Sequence, residues 1–293
     1  MSMPKIAIIG AGKVGSALAI LLNDRGHTIC GVASRTLKSA ENLASRVGSE
    51  AFEKPEDAVQ GADLVFITTP DREIENVSRY LADRGAVVKG TIIAHTSGAH
   101  SSDYLAGVRE NGGLAVSIHP LQSFADVATA MENLPGSYFA LEGDPEAMPL
   151  ARRVVEDLKG KAFYIEAKDK ALYHAAACIA SNYLVSIMHF STGLYEKFGL
   201  TRKEAYEALL PLIQGTINNI EKVGPVLALT GPVARGDITT IEGHLPALTC
   251  VGREEENLYR VLGRYTVRIA MEKGSIDGQQ AEDMLKHFGE GSS

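Results

Sequence analysis

Tryptophan is missing from this 293-residue chain, and aromatic residues make up only 6% of it. Cysteine is nearly as scarce. Cys30, Cys178 and Cys250 stand far apart, without the paired spacing of a disulfide frame or a zinc site. That pattern points to reduced thiols in a cytosolic compartment and to no bound metal. A basic surplus is lacking too: 29 Lys and Arg face 36 Asp and Glu, for a formal net charge of −7. A phosphate backbone demands the opposite balance, so nucleic acid is not an expected partner. No run of membrane-span length, signal peptide, low-complexity tract or internal repeat is visible, and the chain enters a strand pattern almost at once. A cytoplasmic protein without a membrane partner is the expectation. The remainder, 45% hydrophobic and 22% charged, has the composition of an ordinary globular protein long enough for two domains.

What is present is concentrated first in residues 4–37. Ile6, Ile8 and Ile9 form a short apolar run of the kind that becomes a buried parallel strand. Gly10-Ala11-Gly12-Lys13-Val14-Gly15 follows directly, then an Ala/Leu-rich stretch with helical spacing, then Gly26 in the position of a left-handed cap. A second apolar run, Ile29 to Ala33, completes a strand-helix-strand unit of about 30 residues. GxGxxG lodged between a strand and a helix is a dinucleotide fingerprint. Gly10 serves the tight turn, Gly12 admits a pyrophosphate to the backbone, and Gly15 lets helix and strand pack closely. The first N–H groups of the helix then face the phosphates.

One more absence refines the ligand. The second strand of an NAD site usually ends in Asp or Glu, which holds the ribose 2′-hydroxyl. This chain has Ser34, Arg35 and Thr36 there, with Lys38 close behind. Two hydroxyls and a guanidinium suit a 2′-phosphate, which a carboxylate would repel. NADP is therefore expected.

Further apolar runs at 63–67, 91–94, 114–118, 138–141 and 162–165 alternate with helical patterns. They predict a Rossmann-type doubly wound parallel sheet over residues 1–166. Thr68, Thr69 and Pro70 fall where strand C-termini open onto the cofactor crevice, and Asp71 is placed to cap the next helix. His95 and Ser97 end one strand and His119 the next, on the same edge as the glycine turn. A histidine there can move the proton that accompanies hydride transfer. From residue 167 the strand pattern disappears. Helices are expected at 169–198, 202–221, 238–248, 254–273 and 277–288, as an all-helical second domain over 167–293. On the first of these, Lys170, His174, Cys178 and Asn182 recur every four residues and share a face among alanines. Such a stripe either lines a substrate cleft, with Asn182 binding substrate and His174 or Lys170 supplying a proton, or faces solvent. A helix so long and so rich in alanine needs neighbours, which a homodimer would supply. Arg235, in the loop 230–237, either clamps an anionic substrate or pairs with Asp237.

The glycine motif, "ASRT", "HTSG", "IHPLQSF", the helix "HAAACIASNYL" and the loop "LTGPVARGD" together resemble a family of oxidoreductases. Its members join a Rossmann-like NAD(P)-binding domain to a helical domain of unknown function, DUF2520. The resemblance spans nearly the whole chain. It implies a place in the wider group of 6-phosphogluconate dehydrogenases, ketopantoate reductases, pyrroline-5-carboxylate reductases and deazaflavin-dependent NADP reductases. His119 is similar to the histidine that prephenate dehydrogenases place near the substrate hydroxyl. Asn182 matches the asparagine of a Lys-x-x-x-Asn pair carried by related dehydrogenases, but Cys178 stands at the lysine position. The activity so implied is NADP-dependent hydride transfer to or from a small organic acid or its keto form, ketopantoate-reductase-like among the specific cases. His119, Asn182, His174 and Ser97 are the expected catalytic groups. Imine reduction, hydride exchange with a deazaflavin, and a non-enzymatic NADP sensor are the alternatives.

Overall fold

A computed structural model describes residues 3–289, in two compact units that divide between Asn182 and Tyr183. The first unit runs β1 (Lys5–Ile9), α1 (Lys13–Asp24), β2 (Thr28–Ala33), α2 (Leu37–Val47), β3 (Ala51–Phe52), α3 (Pro55–Ala58), β4 (Leu64–Ile67) and α4 (Asp71–Asp83). It continues through β5 (Ile92–His95), β6 (Leu114–Pro120), α5 (Val127–Asn133), β7 (Tyr138–Gly143), α6 (Met148–Asp157) and β8 (Lys161–Tyr164) to α7 (Lys170–Cys178). The eight strands form one sheet in the order β3-β2-β1-β4-β5-β6-β7-β8.

Alternate residues of each strand point to opposite faces. Ile6 and Ile8 of β1 therefore join Leu18, Leu22 and Phe66 in one core, while Ala7 and Ile9 join Ile67, Ile74 and Leu81 in the other. Burial on both faces is why these strands read as apolar runs rather than as alternations. Chain order reverses between β1 and β4, the switch point at which doubly wound sheets bind ligands beyond their strand C-termini.

The sheet is mostly but not wholly parallel, in departure from the all-parallel sheet that the sequence pattern predicts. β7 runs antiparallel to β6, with Phe139 opposite Pro120, and β8 is parallel to β7. The connection carries only the seven-residue α5 and re-enters the sheet at the end where it left, Leu121 N–H bonding to Tyr138 O at 2.8 Å. No crossover to the far end is made, and only a crossover yields a parallel neighbour.

Beyond Cys178 the helical path continues through a π-helical turn, Ile179–Tyr183, into the second unit. That unit holds α8 (Leu184–Tyr195), α9 (Arg202–Leu227), α10 (Ile238–Thr249), α11 (Arg253–Lys273) and α12 (Gly278–Phe288), the last three meeting around Ile241, Val267, Met284 and Phe288. Gly199 (φ 83°) closes the first stretch in the left-handed conformation. Capping boxes at Thr201–Glu204 and Asp277–Gln280 start α9 and α12, and Asp237 accepts from Thr240 N–H at the head of α10. α9 passes the expected end at 221. Its kink comes at Gly224 (φ 79°), where Pro225 offers no N–H to continue the ladder.

The expectation that nothing reaches membrane-span length also needs correction. The helical run Ala167–Phe198, 32 residues with an 18-residue window of mean hydropathy 1.3, is long and apolar enough to cross a bilayer by length and composition. Its charged residues lie at the two ends, Lys168, Asp169 and Lys170 at one and Glu196 and Lys197 at the other, which leaves the stretch between them apolar on average.

Candidate active site

The glycine turn is built by close approach. A Cβ on Gly10 (φ 115°) would lie 2.8 Å from the Thr68 carbonyl carbon, and one on Gly15 would collide with Gly10 O and Thr68 Oγ1. Thr68 Oγ1 donates to Gly10 O at 2.6 Å and ties the turn to the end of β4. Gly12 differs: nothing lies within 4 Å of where its Cβ would stand. It is the N-cap of α1 and offers no capping side chain, so the helix's first N–H groups, from Lys13 and Val14 onward, lack a side-chain acceptor. Four such donors head every α-helix, and an anion satisfies them.

These groups border a cleft of about 600 Å³ lined by Gly10, Ala11, Gly12, Ser34, Arg35, Thr36, Thr68, Thr69 and Pro70. The lysine and valine of the motif, Lys13 and Val14, are outside its lining and contribute through the backbone. Ser39, Glu53, Arg72 and Glu73 line it as well, residues the sequence pattern did not single out. Ser34 Oγ accepts from Ala11 N–H at 3.4 Å, and Thr36 Oγ1 lies 2.7 Å from Ser39 Oγ. Arg35 is exposed and has no ion-pair partner among the described residues. Thr69 Oγ1 is buried without a hydrogen-bond partner, a costly state that a bound polar group would relieve. An open glycine, bare helix N–H groups, an orphan hydroxyl and a guanidinium beside two hydroxyls all fit an NADP molecule.

Two strands farther along, the segment His95–Gly98 is fastened from three sides. His95 is wholly buried. Its Nδ1 accepts from Ser97 N–H at 3.1 Å, and its Nε2 lies 3.0 Å from Ser101 O. Burial drives its pKa down to about 4, so it is a neutral brace. Ser97 does not offer its hydroxyl to a substrate, contrary to the expectation from sequence. Its Oγ donates to Asp71 Oδ2 at 2.7 Å and accepts from Ala99 and His100 N–H, and the residue is 4% exposed. Asp71 is correspondingly not the cap of α4. It is that helix's first residue, behind Pro70, and its carboxylate is turned to Ser97.

Lys170 is the third fastening. Instead of facing a cleft it is buried, with Nζ donating to Ser97 O at 2.8 Å and Ser117 Oγ at 2.7 Å. Burial lowers its pKa to about 8, against the pull of Glu142 and Asp71. Glu142 stands opposite Ser117 on β7 and accepts from the N–H and Oγ of Ser102. A buried ammonium with two acceptors and a buried carboxylate with two donors thus hold the loop against the sheet.

Upon this base sit the remaining reactive groups. His119 Nδ1 lies 2.6 Å from the Tyr173 hydroxyl, and the His119 ring meets that of His174 edge-on at 6.3 Å. Both imidazoles rest on Gly98, whose Cβ would stand 2.7 Å from His119 Nε2 and 2.6 Å from His174 Cδ2. Cys178 Sγ is 3.8 Å from His174 Nδ1, one turn along α7. Burial first, then the charges of Lys170, His174 and His95, push the His119 pKa down to about 3. His119 is therefore a neutral hydrogen-bonding group near pH 7 and not the proton shuttle that its position suggests. Asn182, on the π-helical turn after Cys178, is exposed. In the second unit Arg235 pairs loosely with Asp237 at 4.0 Å and is otherwise open to solvent. Tyr173 and Gly98 were not legible beforehand. A tyrosine between Lys170 and His174 has no motif value, and Gly98 reads as a turn residue until two rings are seen to rest on it.

A Rossmann-like domain model matches residues 2–120, and the domain of unknown function DUF2520 matches residues 137–266. Among solved structures, a protein of Thermotoga maritima is 29% identical, superposes over 92% of this chain and 99% of its own, and gives a TM-score of 0.74. A candidate NADP oxidoreductase of Bacteroides fragilis is 23% identical over 91% of this chain and 98% of its own, with a TM-score of 0.68; at that identity the likeness is one of fold. The glutamyl-tRNA reductase of Pyrobaculum aerophilum is 35% identical over 96 residues, which is 30% of this chain. The match spans only 23% of that enzyme's length. The chain belongs with the proteins that join a Rossmann-like domain to a DUF2520 domain.

Proposed function

We propose that the protein is an NADP-dependent oxidoreductase acting between a small organic acid and its keto form. The observation that carries this reading is the placement of a polar cluster, His119, His174 and Cys178, beside the nucleotide cleft on the same edge of one sheet. β1, β4, β5 and β6 are successive neighbours. The glycine turn and His119 are thus three strand spacings apart, roughly 14 Å at about 4.8 Å each. That is the direction in which the nicotinamide half of a dinucleotide extends from a pyrophosphate held at α1.

When bound, NADP supplies a hydride donor or acceptor at its nicotinamide. The chain's own residues do the rest. Ser34, Arg35 and Thr36 hold the 2′-phosphate, and the α1 N–H groups hold the pyrophosphate. His119 binds the substrate oxygen, Asn182 contributes a further hydrogen bond, and His174 exchanges the proton that must move with the hydride. Lys170 keeps Gly98 low enough for both imidazoles to lie over it. The test is to follow NADPH oxidation against a panel of keto acids, with ketopantoate first, and of cyclic imines and a deazaflavin. Turnover of an imine or the deazaflavin alone would replace the keto-acid reading, and binding of NADPH without turnover of anything would favour a sensor.

The working form is a homodimer joined through the helices after residue 167. Leu172, Val185, Leu212 and Tyr265 are between 59% and 75% exposed, and none of the most apolar window of the 167–198 run is buried. A single chain does not leave so much apolar helix in water.

A further inference from the structure

We propose that Tyr173 locks His119 in the tautomer that presents Nε2–H, so that the site accepts substrates through an acceptor atom, a keto or carboxylate oxygen, and turns away an iminium. The inference rests on the oxidoreductase reading and narrows its substrate class.

Two tautomers are compatible with the 2.6 Å contact between Nδ1 and the phenol. In one, Tyr173 O–H donates to the Nδ1 lone pair and the imidazole proton sits on Nε2. In the other, Nδ1–H donates to the phenol oxygen, and Nε2 is left as a bare acceptor. The first is favoured by the partners available. An imidazole nitrogen accepts more strongly than a phenol oxygen, and a phenol donates more readily than it accepts. The second would also leave the phenolic hydrogen of a half-buried tyrosine without an acceptor among the described residues. The doubly protonated ring is excluded first by burial, and then by the groups that would oppose a positive charge there, Lys170 and His174 from α7 and His95 from β5. The phenol in turn stays protonated, burial raising its pKa to about 12.

The free edge of the ring is then a donor. Nε2 has no partner among the described residues and lies over Gly98, the one place in the segment with no side chain to cover it. A neutral N–H pairs with a carbonyl or carboxylate oxygen. An iminium nitrogen carries a hydrogen of its own and a positive charge, so it meets donor against donor, above a buried Lys170 ammonium. Tyr173 is a positioning residue here. It acts through His119 and is itself held by edge contacts with His119 and Phe163, at ring-centre distances of 5.5 and 5.9 Å.

The test has two arms. In the first, the protein with ¹⁵N-labelled histidine is read by NMR, His119 being assigned by the loss of its signals in His119→Asn. The expected pattern is a pyrrole-like Nε2 and a pyridine-like Nδ1 near pH 7; the reverse pattern overturns the inference. In the second, binding of pyruvate and of 1-pyrroline in its protonated, iminium form is compared in the presence of NADP. Pyruvate should bind at least ten-fold better, and Tyr173→Phe should cut that preference by about ten-fold, the worth of one hydrogen bond, with its melting transition nearly unchanged. Equal or better binding of 1-pyrroline, or binding of neither probe, also overturns it. The expected tautomer and binding preference without any hydride transfer would instead overturn the oxidoreductase reading and leave this inference standing.

Discussion

On the proposed function, Arg35 is the residue on which cofactor choice should turn. It stands at the rim of the nucleotide cleft with Ser34 and Thr36, and no carboxylate from the end of β2 opposes it. NADPH should bind at least ten-fold tighter than NADH, about 1.4 kcal/mol, and Arg35→Ala should erase most of that margin. Equal affinities in the unmodified protein, measured by titration, would remove the 2′-phosphate from the account. The histidines of the neighbouring strands make a second prediction at this scale. His95 and His119 titrate near 4 and 3 in the folded chain against about 6.5 when unfolded. The unfolded state therefore binds protons first as the pH falls. The stability these neutral rings allow is complete above pH 6.5 and is lost progressively below it, by about 2 kcal/mol for each ring at pH 5. Urea unfolding at pH 7 and pH 5 should show this loss, and His119→Asn should remove roughly half of it. A stability flat across that range would mean that the two imidazoles are not held neutral.

At the scale of elements, β1, the glycine turn and α1 act as one fitted piece. Gly15→Ala places a methyl group against Gly10 O of the turn and Thr68 Oγ1 at the end of β4. A loss of about 1–3 kcal/mol is expected, typical of overpacking, together with weakened NADPH binding; a variant as stable as the parent would show the turn to be looser than described. Much of this level was legible in the sequence, because it rests on local rules. The helix expected at 277–288 forms as Gly278–Phe288, Gly26 and Gly199 take positive φ where helices stop, and the apolar runs become the strands of the sheet. What was illegible depends on contacts distant in sequence. The reversal of β7 is decided by where the chain re-enters the sheet, a choice that no strand pattern encodes. Ser97 and Lys170 carry reactive groups and so read as chemistry, and Asp71 reads as a helix cap. They meet only in the folded unit, where they brace a loop beneath the rings of His119 and His174.

The whole molecule is expected to be larger than one chain. Light scattering across a dilution series should report about twice the 31.3 kDa chain mass, and Val185→Glu on the exposed side of α8 should shift the protein toward monomer. A monomer at micromolar concentration that instead partitions onto lipid vesicles would assign the apolar run 167–198 to a membrane. The account's central claim is chemical, that hydride passes between NADP at the glycine turn and a small keto acid at His119. The most direct measurement uses NADPH deuterated at the transferable position of the nicotinamide, mixed with the protein and the keto-acid panel. Deuterium should appear on the carbinol carbon of one hydroxy acid, and His119→Ala should slow its appearance at least a hundred-fold while NADPH still binds, the scale of a lost oxyanion donor. Tight NADPH binding with no label in any hydroxy acid, or labelling undiminished in His119→Ala, would contradict it.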